Sequence, residues 1–176
     1  MPKLIEHLRE NIIRCARGEL LERGYGALTI RSVAKDCGIA VGTVYNYFPS
    51  KDMLTGAVLL EDWLVSLSHM KKVCREAETV EEGLTGLYNA VTSFSTLYRP
   101  VWAGYTFSDS ARTAFGERHN LLVGQLADCI RPILERLQGE EPEKTAVFLA
   151  ENVLICAGDS LLDFDGFLHI VQRLLP

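Results

Sequence analysis

Apolar residues recur at spacings of three and four along nearly the whole chain, and no segment sustains the one-in-two alternation of a half-buried strand. That periodicity points to an all-α protein. Leu4, Leu8, Ile12, Cys15, Ala16 and Leu20 mark one face of a first helix over about residues 3–23, ended by Gly24. Thr29 offers an oxygen to the free amides of a short second helix over about 30–37, which Gly38 closes. A third short helix follows Ile39-Ala40 and runs to Phe48, where Pro49 forbids its continuation and Ser50 is placed to cap a fourth over about 51–76.

The fourth helix carries Met53, Ala57, Leu60, Leu64 and Leu67 on one face and Leu59, Trp63 and Met70 on another, a pattern that predicts packing on two sides. Thr79 and Glu82 have the spacing of a capping box ahead of Val80, Leu84, Leu87, Val91, Phe94 and Tyr98, a fifth helix stopped by Pro100. The aromatic stretch from Pro100 to Phe107 fits a short helix or a loop. Leu122, Leu126, Ile130, Ile133 and Leu137 predict a long helix that Pro132 should kink. Gly139-Glu140-Glu141-Pro142 then reads as a turn, another apolar helix extends to about Leu162, and Asp163 or Asp165 caps a last one bearing Phe167, Leu168, Val171 and Leu174.

Composition removes several classes. With 176 residues, 48% of them hydrophobic and 23% charged, the chain is long enough for one sizeable core, and it is neither collagen-like nor disordered. Charges interrupt every apolar run before the ~20 residues of a bilayer span, and Met1-Pro2-Lys3-Leu4-Ile5-Glu6 lacks a signal-peptide core. A cytoplasmic protein without membrane partners is the expectation. Cys15, Cys37, Cys74, Cys129 and Cys156 are an odd set with no close pair, so reduced, mostly buried thiols are expected. His7, His69, His119 and His169 never fall at i, i+3 or i+4, so neither metal nor cofactor is expected.

Charge is uneven along the chain. Residues 1–52 hold eight Lys or Arg against six Asp or Glu, whereas residues 53–176 hold ten against seventeen. A relatively basic start on an acidic body suits an end that meets a polyanion. Within that start, TIRSVAKDCGIAVGTVYNYFPSK (29–51) has the layout of a helix-turn-helix: Ala34 is small where helices approach, Gly38 takes the positive φ of the turn, and Ile39 and Val44 plug a small core.

These residues resemble the TetR family of bacterial transcriptional repressors. The likeness is carried by Gly24-Tyr25, Thr29, Val33-Ala34, Gly38-Ile39, Gly42-Thr43-Val44-Tyr45-Asn46-Tyr47-Phe48, Ser50-Lys51 and Leu54. It implies a helix-turn-helix DNA-binding domain over 1–49 and a helical effector-binding and dimerisation domain over 50–176. It also places Val41, Gly42, Thr43, Tyr45 and Asn46 on the groove-facing side of the third helix. The chemistry fits duplex DNA: Thr29, Thr43 and Tyr47 can donate hydroxyl hydrogens to phosphates, Lys51 adds charge at a helix start, and Asn46 can pair with an adenine edge. The third helix has no Arg or Lys, the usual readers of guanine, which predicts a half-site core rich in A·T. Ala40 stands where many relatives have Ser, so that helix is expected to lack a side-chain cap, and Val41 replaces a commonly polar residue. Tyr45 serves packing as readily as DNA, and Phe48 is assigned to packing.

Trp63, Met70, Tyr88, Phe94, Trp102, Tyr105, Phe107 and Phe115 are candidates for an apolar pocket that takes a small-molecule effector, with core packing as the plainer alternative. The resemblance implies that an effector there shifts the fourth helix and so the spacing of two DNA-reading heads. Two heads require a homodimer on a palindromic double-stranded operator, half-sites about 34–36 Å or a multiple apart. The candidate interface pairs the helix Leu122–Leu137 with that around Ala146–Leu161, where Ala146, Ala150, Ala157 and Gly158 allow close approach. Two other functions compete. One is a DNA-bound interaction protein without an effector. The other is hydrolysis, on the strength of Gly158-Asp159-Ser160-Leu161 with Asp165 and His169, but no strand precedes Ser160 and only 16 residues follow it. An enzyme is therefore not expected.

Overall fold

The computed structural model describes residues 7–105, 109–137, 141–158 and 163–175, with side chains at all of these except 103–105 and 109–118. Among the described residues there are nine helices and no strand: α1 (Leu8–Ala27), α2 (Ile30–Asp36), α3 (Val41–Tyr47), α4 (Lys51–Glu76), α5 (Val80–Leu97), α6 (Arg99–Tyr105), α7 (Asp109–Arg136), α8 (Pro142–Cys156) and α9 (Phe164–Leu174). The all-α expectation holds. The chain divides into two compact units, one taking the described residues up to Trp63 with those of Leu97–Ala111, the other Leu64–Thr96 with Arg112–Pro176.

In the first unit, Ile12, Ile13, Ala16 and Leu20 of α1 are buried together with Val33, Val44 and Leu54 of the next three helices. Gly24 ends the first run of helical backbone, as expected, with a further turn beyond it. It takes φ +74 inside the helix, which bends there and adds a last turn to Ala27. That turn brings Tyr25 to the start of α4, where its hydroxyl donates to Asp52 and its ring lies 4.0 Å beneath Lys51 Nζ. Asp62 of α4 receives Arg17 of α1 at 2.6 Å and the Tyr98 hydroxyl ahead of α6. Burial, then the hydrogen bond and charge of Asp62, push the Tyr98 phenol well above the usual tyrosine range, so it stays a donor. Burial opposes the Arg17 charge, but Asp62 outweighs it and the guanidinium is held above its ordinary value. The aromatic stretch after Pro100 forms α6, with the proline in its first turn, where no amide is missed.

The second unit packs α5, α7, α8, α9 and the later residues of α4 around Met70, Leu84, Leu87, Leu126, Ile130 and Phe167. Arg136 at the end of α7 donates to the carbonyls of Arg75 (3.0 Å) and Ala77, satisfying acceptors that the end of α4 leaves open. Thr79 Oγ1 accepts from Glu82 N at 3.1 Å, but the Glu82 carboxylate returns to Glu78 N at 2.8 Å, one residue earlier than a capping box requires. Asp163, not Asp165, caps α9 by accepting from Gly166 N at 2.6 Å. The long helix α7 begins at Asp109, well before the expected Leu122, and α8 ends at Cys156.

Two expectations fail on which way residues face. Met53, Leu60 and Leu64 are 55%, 55% and 49% exposed, so the first apolar face of α4 is open along these three residues and closes only at buried Leu67. Ala146 and Ala150 are buried in the unit's own core, so their small size serves packing within the chain, not approach by a partner.

Close packing in this unit requires glycine at α5. A Cβ on Gly86 would stand 2.2 Å from Val73 Cγ1, and Val73 is β-branched with little rotameric freedom in a helix. Gly86→Ala should therefore lower stability by about 1–3 kcal/mol despite alanine's better helix propensity. Adding Val73→Ala should recover part of that loss. Urea unfolding of the single and double variants checks this; a Gly86→Ala protein more stable than the parent would contradict it.

Candidate nucleic-acid interface

The helix-turn-helix is built from three local devices. Thr29, extended at φ −136, caps α2: its hydroxyl oxygen accepts from Ser32 N at 3.0 Å, and Thr29 N donates back to Ser32 Oγ at 3.2 Å. The Ser32 hydroxyl also donates to buried Glu19 of α1 at 2.7 Å, which ties the cap to the helix beneath it. At the other end of α2, Gly38 N donates to Lys35 O and Ile39 N to Ala34 O, each at 3.0 Å, with Gly38 at φ +66. That is a Schellman motif with glycine at the left-handed position, and it turns the chain into α3. After α3, Ser50 Oγ accepts from Met53 N at 3.1 Å and caps α4.

Helix α3 is seven residues long and has no side-chain cap at Ala40, as the sequence predicts. Its orientation is set by burial: Val44 and Phe48, one turn apart, are 0% and 4% exposed. Arg9 of α1 lies over the Phe48 ring at 5.5 Å while pairing with Glu61 at 3.1 Å. With that side inward, helical geometry sends Gly42, Thr43 and Asn46 outward and Tyr45 and Tyr47 to the two flanks, while Val41, one turn before Val44, starts on the inward side. Gly42, Tyr45, Asn46 and Tyr47 are exposed, and Val41 and Thr43 are half-buried. Thr29 is exposed, but its hydroxyl hydrogen is directed at Ser32 Oγ, 2.9 Å away. Half-buried Lys51 sits over Tyr25, and burial, opposed by Asp52, pulls its pKa below the ordinary lysine value. Sequence reasoning missed the Lys51–Tyr25–Asp52 arrangement. Tyr25 stood inside the quoted motif, but only the bend at Gly24 shows where its hydroxyl goes.

The aromatic candidates are divided between the two units. Trp63 is buried and Trp102 half-buried in the first, while buried Met70 and half-buried Tyr88 and Phe94 belong to the second. Tyr88 stacks face to face on Phe164 at 3.9 Å, and Phe164 is tilted against Phe167 at 6.1 Å; Phe164 was not among the sequence candidates. The side chains of Tyr105, Phe107 and Phe115 lie outside the described residues, as do Asp159, Ser160 and Leu161 of the hydrolase-like block. A groove of about 300 Å³ between α8 and α9 is lined by Phe148, Leu149, Val171 and Leu174 with Lys144, and by none of the eight candidates.

A seven-residue helix set on a Schellman turn, one side buried and the other open, defines a helix-turn-helix head on an all-α chain. Residues 12–58 match the family described as bacterial regulatory proteins, tetR family. It is 32% identical over 84 residues to the HTH-type transcriptional repressor KstR2 of Mycolicibacterium smegmatis, a stretch covering 47% of this chain and 40% of that protein. The chain spans between 33% and 40% of the length of the curated relatives it matches. Among solved structures, a transcriptional regulator from Cytophaga hutchinsonii superposes with TM-score 0.68 at 19% identity, over 85% of this chain and 79% of that one. FadR of Bacillus subtilis, solved in complex with stearoyl-CoA, gives 0.59 at 18% identity over 88% of this chain and 100% of that one. At such identities the likeness is one of fold.

Gly38 is required for its φ alone, since a Cβ there would meet nothing within 4 Å. Gly38→Ala should cost about 1–2 kcal/mol of stability. Gly42→Ala, at a helical glycine with equally open surroundings, should be neutral or stabilising. Equal urea midpoints for the two variants would contradict this account of the turn.

Proposed function

We propose that this chain is a ligand-responsive DNA-binding transcriptional regulator, a repressor that holds a palindromic operator as a homodimer. It releases that operator when a small apolar or aromatic effector occupies the C-terminal domain. The observation that carries the reading is the outward side of α3, with Gly42, Tyr45 and Asn46 exposed above buried Val44 and Phe48 and with Val41 and Thr43 half-buried beside them. In the major groove, the Asn46 amide pairs with the N6 and N7 edge of adenine, and the methyls of Val41 and Thr43 meet thymine methyls. Thr43, Tyr47 and Lys51 fix the register on phosphates, and Thr29 joins them by exchanging its Ser32 contact for a phosphate oxygen.

The effector part of the reading rests on chemistry of similar proteins and on α4. The relative of known complex holds stearoyl-CoA, a ligand with a long apolar chain. Met70, Tyr88 and Phe94 are the proposed contacts in the second unit. Helix α4 carries both Lys51 and Met70, and this one element is proposed to pass the effector's influence to the head. A coupling of about 1–3 kcal/mol suffices for regulation. For the homodimer, the exposed apolar residues Leu121 of α7 and Val147, Phe148 and Ile155 of α8 replace the small residues first nominated, with open Gly124 allowing close approach.

Two experiments test the reading. Fluorescence anisotropy on duplex fragments from upstream of the chain's own gene, across a salt series, should show tight binding that Lys51→Ala weakens equally on all sequences. That variant should lower the log–log salt slope by about 1. Asn46→Ala should cost about 1–3 kcal/mol on the preferred fragment and little on unrelated DNA. Equal losses on both kinds of DNA would contradict a base-reading Asn46. Phe148→Glu should shift the dimer to a monomer in light scattering at micromolar concentration, and a parent protein that is itself monomeric would contradict the two-headed arrangement.

A further inference from the structure

Cys74, Cys129 and Cys156 are buried, and burial leads the causes that push each of these thiols up. Cys15 and Cys37 are different. Both are partly exposed, while the other three bear out the expectation of mostly buried cysteines. Cys37 Sγ lies 3.8 Å from the carbonyl oxygen of Asn11, which is one turn before Cys15 on α1 and accepts the Cys15 amide in the helical ladder. That places Cys15 close enough to act on the Cys37 proton, and Arg14 Nη2 approaches Cys15 Sγ at 4.0 Å.

We propose that Cys15 and Cys37 are an oxidisable pair that a hydroperoxide converts to an intramolecular disulfide, stapling α1 to the turn between α2 and α3. Burial, then its contact with Cys15, pushes the Cys37 thiol up to about 12, so Cys37 keeps its proton at neutral pH and Cys15 meets the oxidant. The Cys15 thiolate attacks one oxygen of hydrogen peroxide. The O–O bond breaks, and the leaving hydroxide takes a proton to become water, leaving Cys15 sulfenic acid. Cys37 then loses its proton, its sulfur attacks the Cys15 sulfur, and the S–O bond breaks with release of a second water. Two thiols and one peroxide give one disulfide and two waters, with two electrons passing from sulfur to peroxide.

Cys37 immediately precedes Gly38, so the bond would fix the turn that aims α3. That consequence rests on the DNA-binding reading; formation of the bond does not.

The test treats the reduced full chain with a molar excess of hydrogen peroxide, quenches with iodoacetamide and digests without reductant. The expected result is loss of two hydrogens from the intact mass and a dominant linked peptide joining Cys15 to Cys37, both reversed by dithiothreitol. Cys37→Ser should abolish the two-hydrogen loss and leave Cys15 trappable by dimedone. The linked peptide from the parent chain is read independently of how the variant folds. Absence of that peptide under peroxide that oxidises free cysteine would overturn the proposal. So would links to Cys74, Cys129 or Cys156 in equal yield, or Cys15 passing to sulfinic acid in the parent without a link.

Discussion

Helix α3 is two turns long, uncapped at Ala40, and far too short to persist by its own hydrogen bonds. Its existence and its orientation both rest on Val44 and Phe48 being buried in the head. Fully burying an aliphatic or aromatic side chain contributes roughly 1.5–3 kcal/mol, more than any cap or surface ion pair nearby. Everything outward on α3 follows from that inward pair. Once positions 44 and 48 point in, a 100° step per residue leaves positions 42, 43 and 46 to face out, with 45 and 47 on the flanks.

Around this helix, polar contacts fix geometry more than they add stability. The Thr29–Ser32–Glu19 chain connects the start of α2 to α1. The Tyr25–Asp52 and Lys51–Tyr25 contacts connect the bent end of α1 to the start of α4. Arg17, Asp62 and Tyr98 connect α1, α4 and the start of α6. In each case the partners come from different helices, so the contact constrains how helices meet. The head proposed here to present one face to a rigid duplex needs that kind of constraint.

Much of this was legible in the sequence because helix ends carry local chemistry. Thr29, Gly38, Pro49, Ser50 and Asp163 marked boundaries by what their own side chains or backbones can and cannot do, and the bounds of α4 came out as predicted. Facing was less legible. Leu60 and Leu64 look like core in one dimension, and nothing local says that no partner from the same chain covers them. Ala146 and Ala150 announce a close approach without saying to what. The stacking of Tyr88 on Phe164 joins residues 76 positions apart, and the Cys15–Cys37 contact is equally invisible to spacing. The helix end at Gly24 was visible, since glycine was expected at a positive φ, but the extra turn that carries Tyr25 to Asp52 was not.

The most direct measurement is selection of bound duplexes by the purified chain from a random-sequence library at low ionic strength. The account predicts enrichment of a two-fold symmetric motif whose half-sites have A·T pairs beneath α3 and lie one helical turn, or a multiple, apart. Failure to enrich any sequence, or a motif without symmetry, would contradict it.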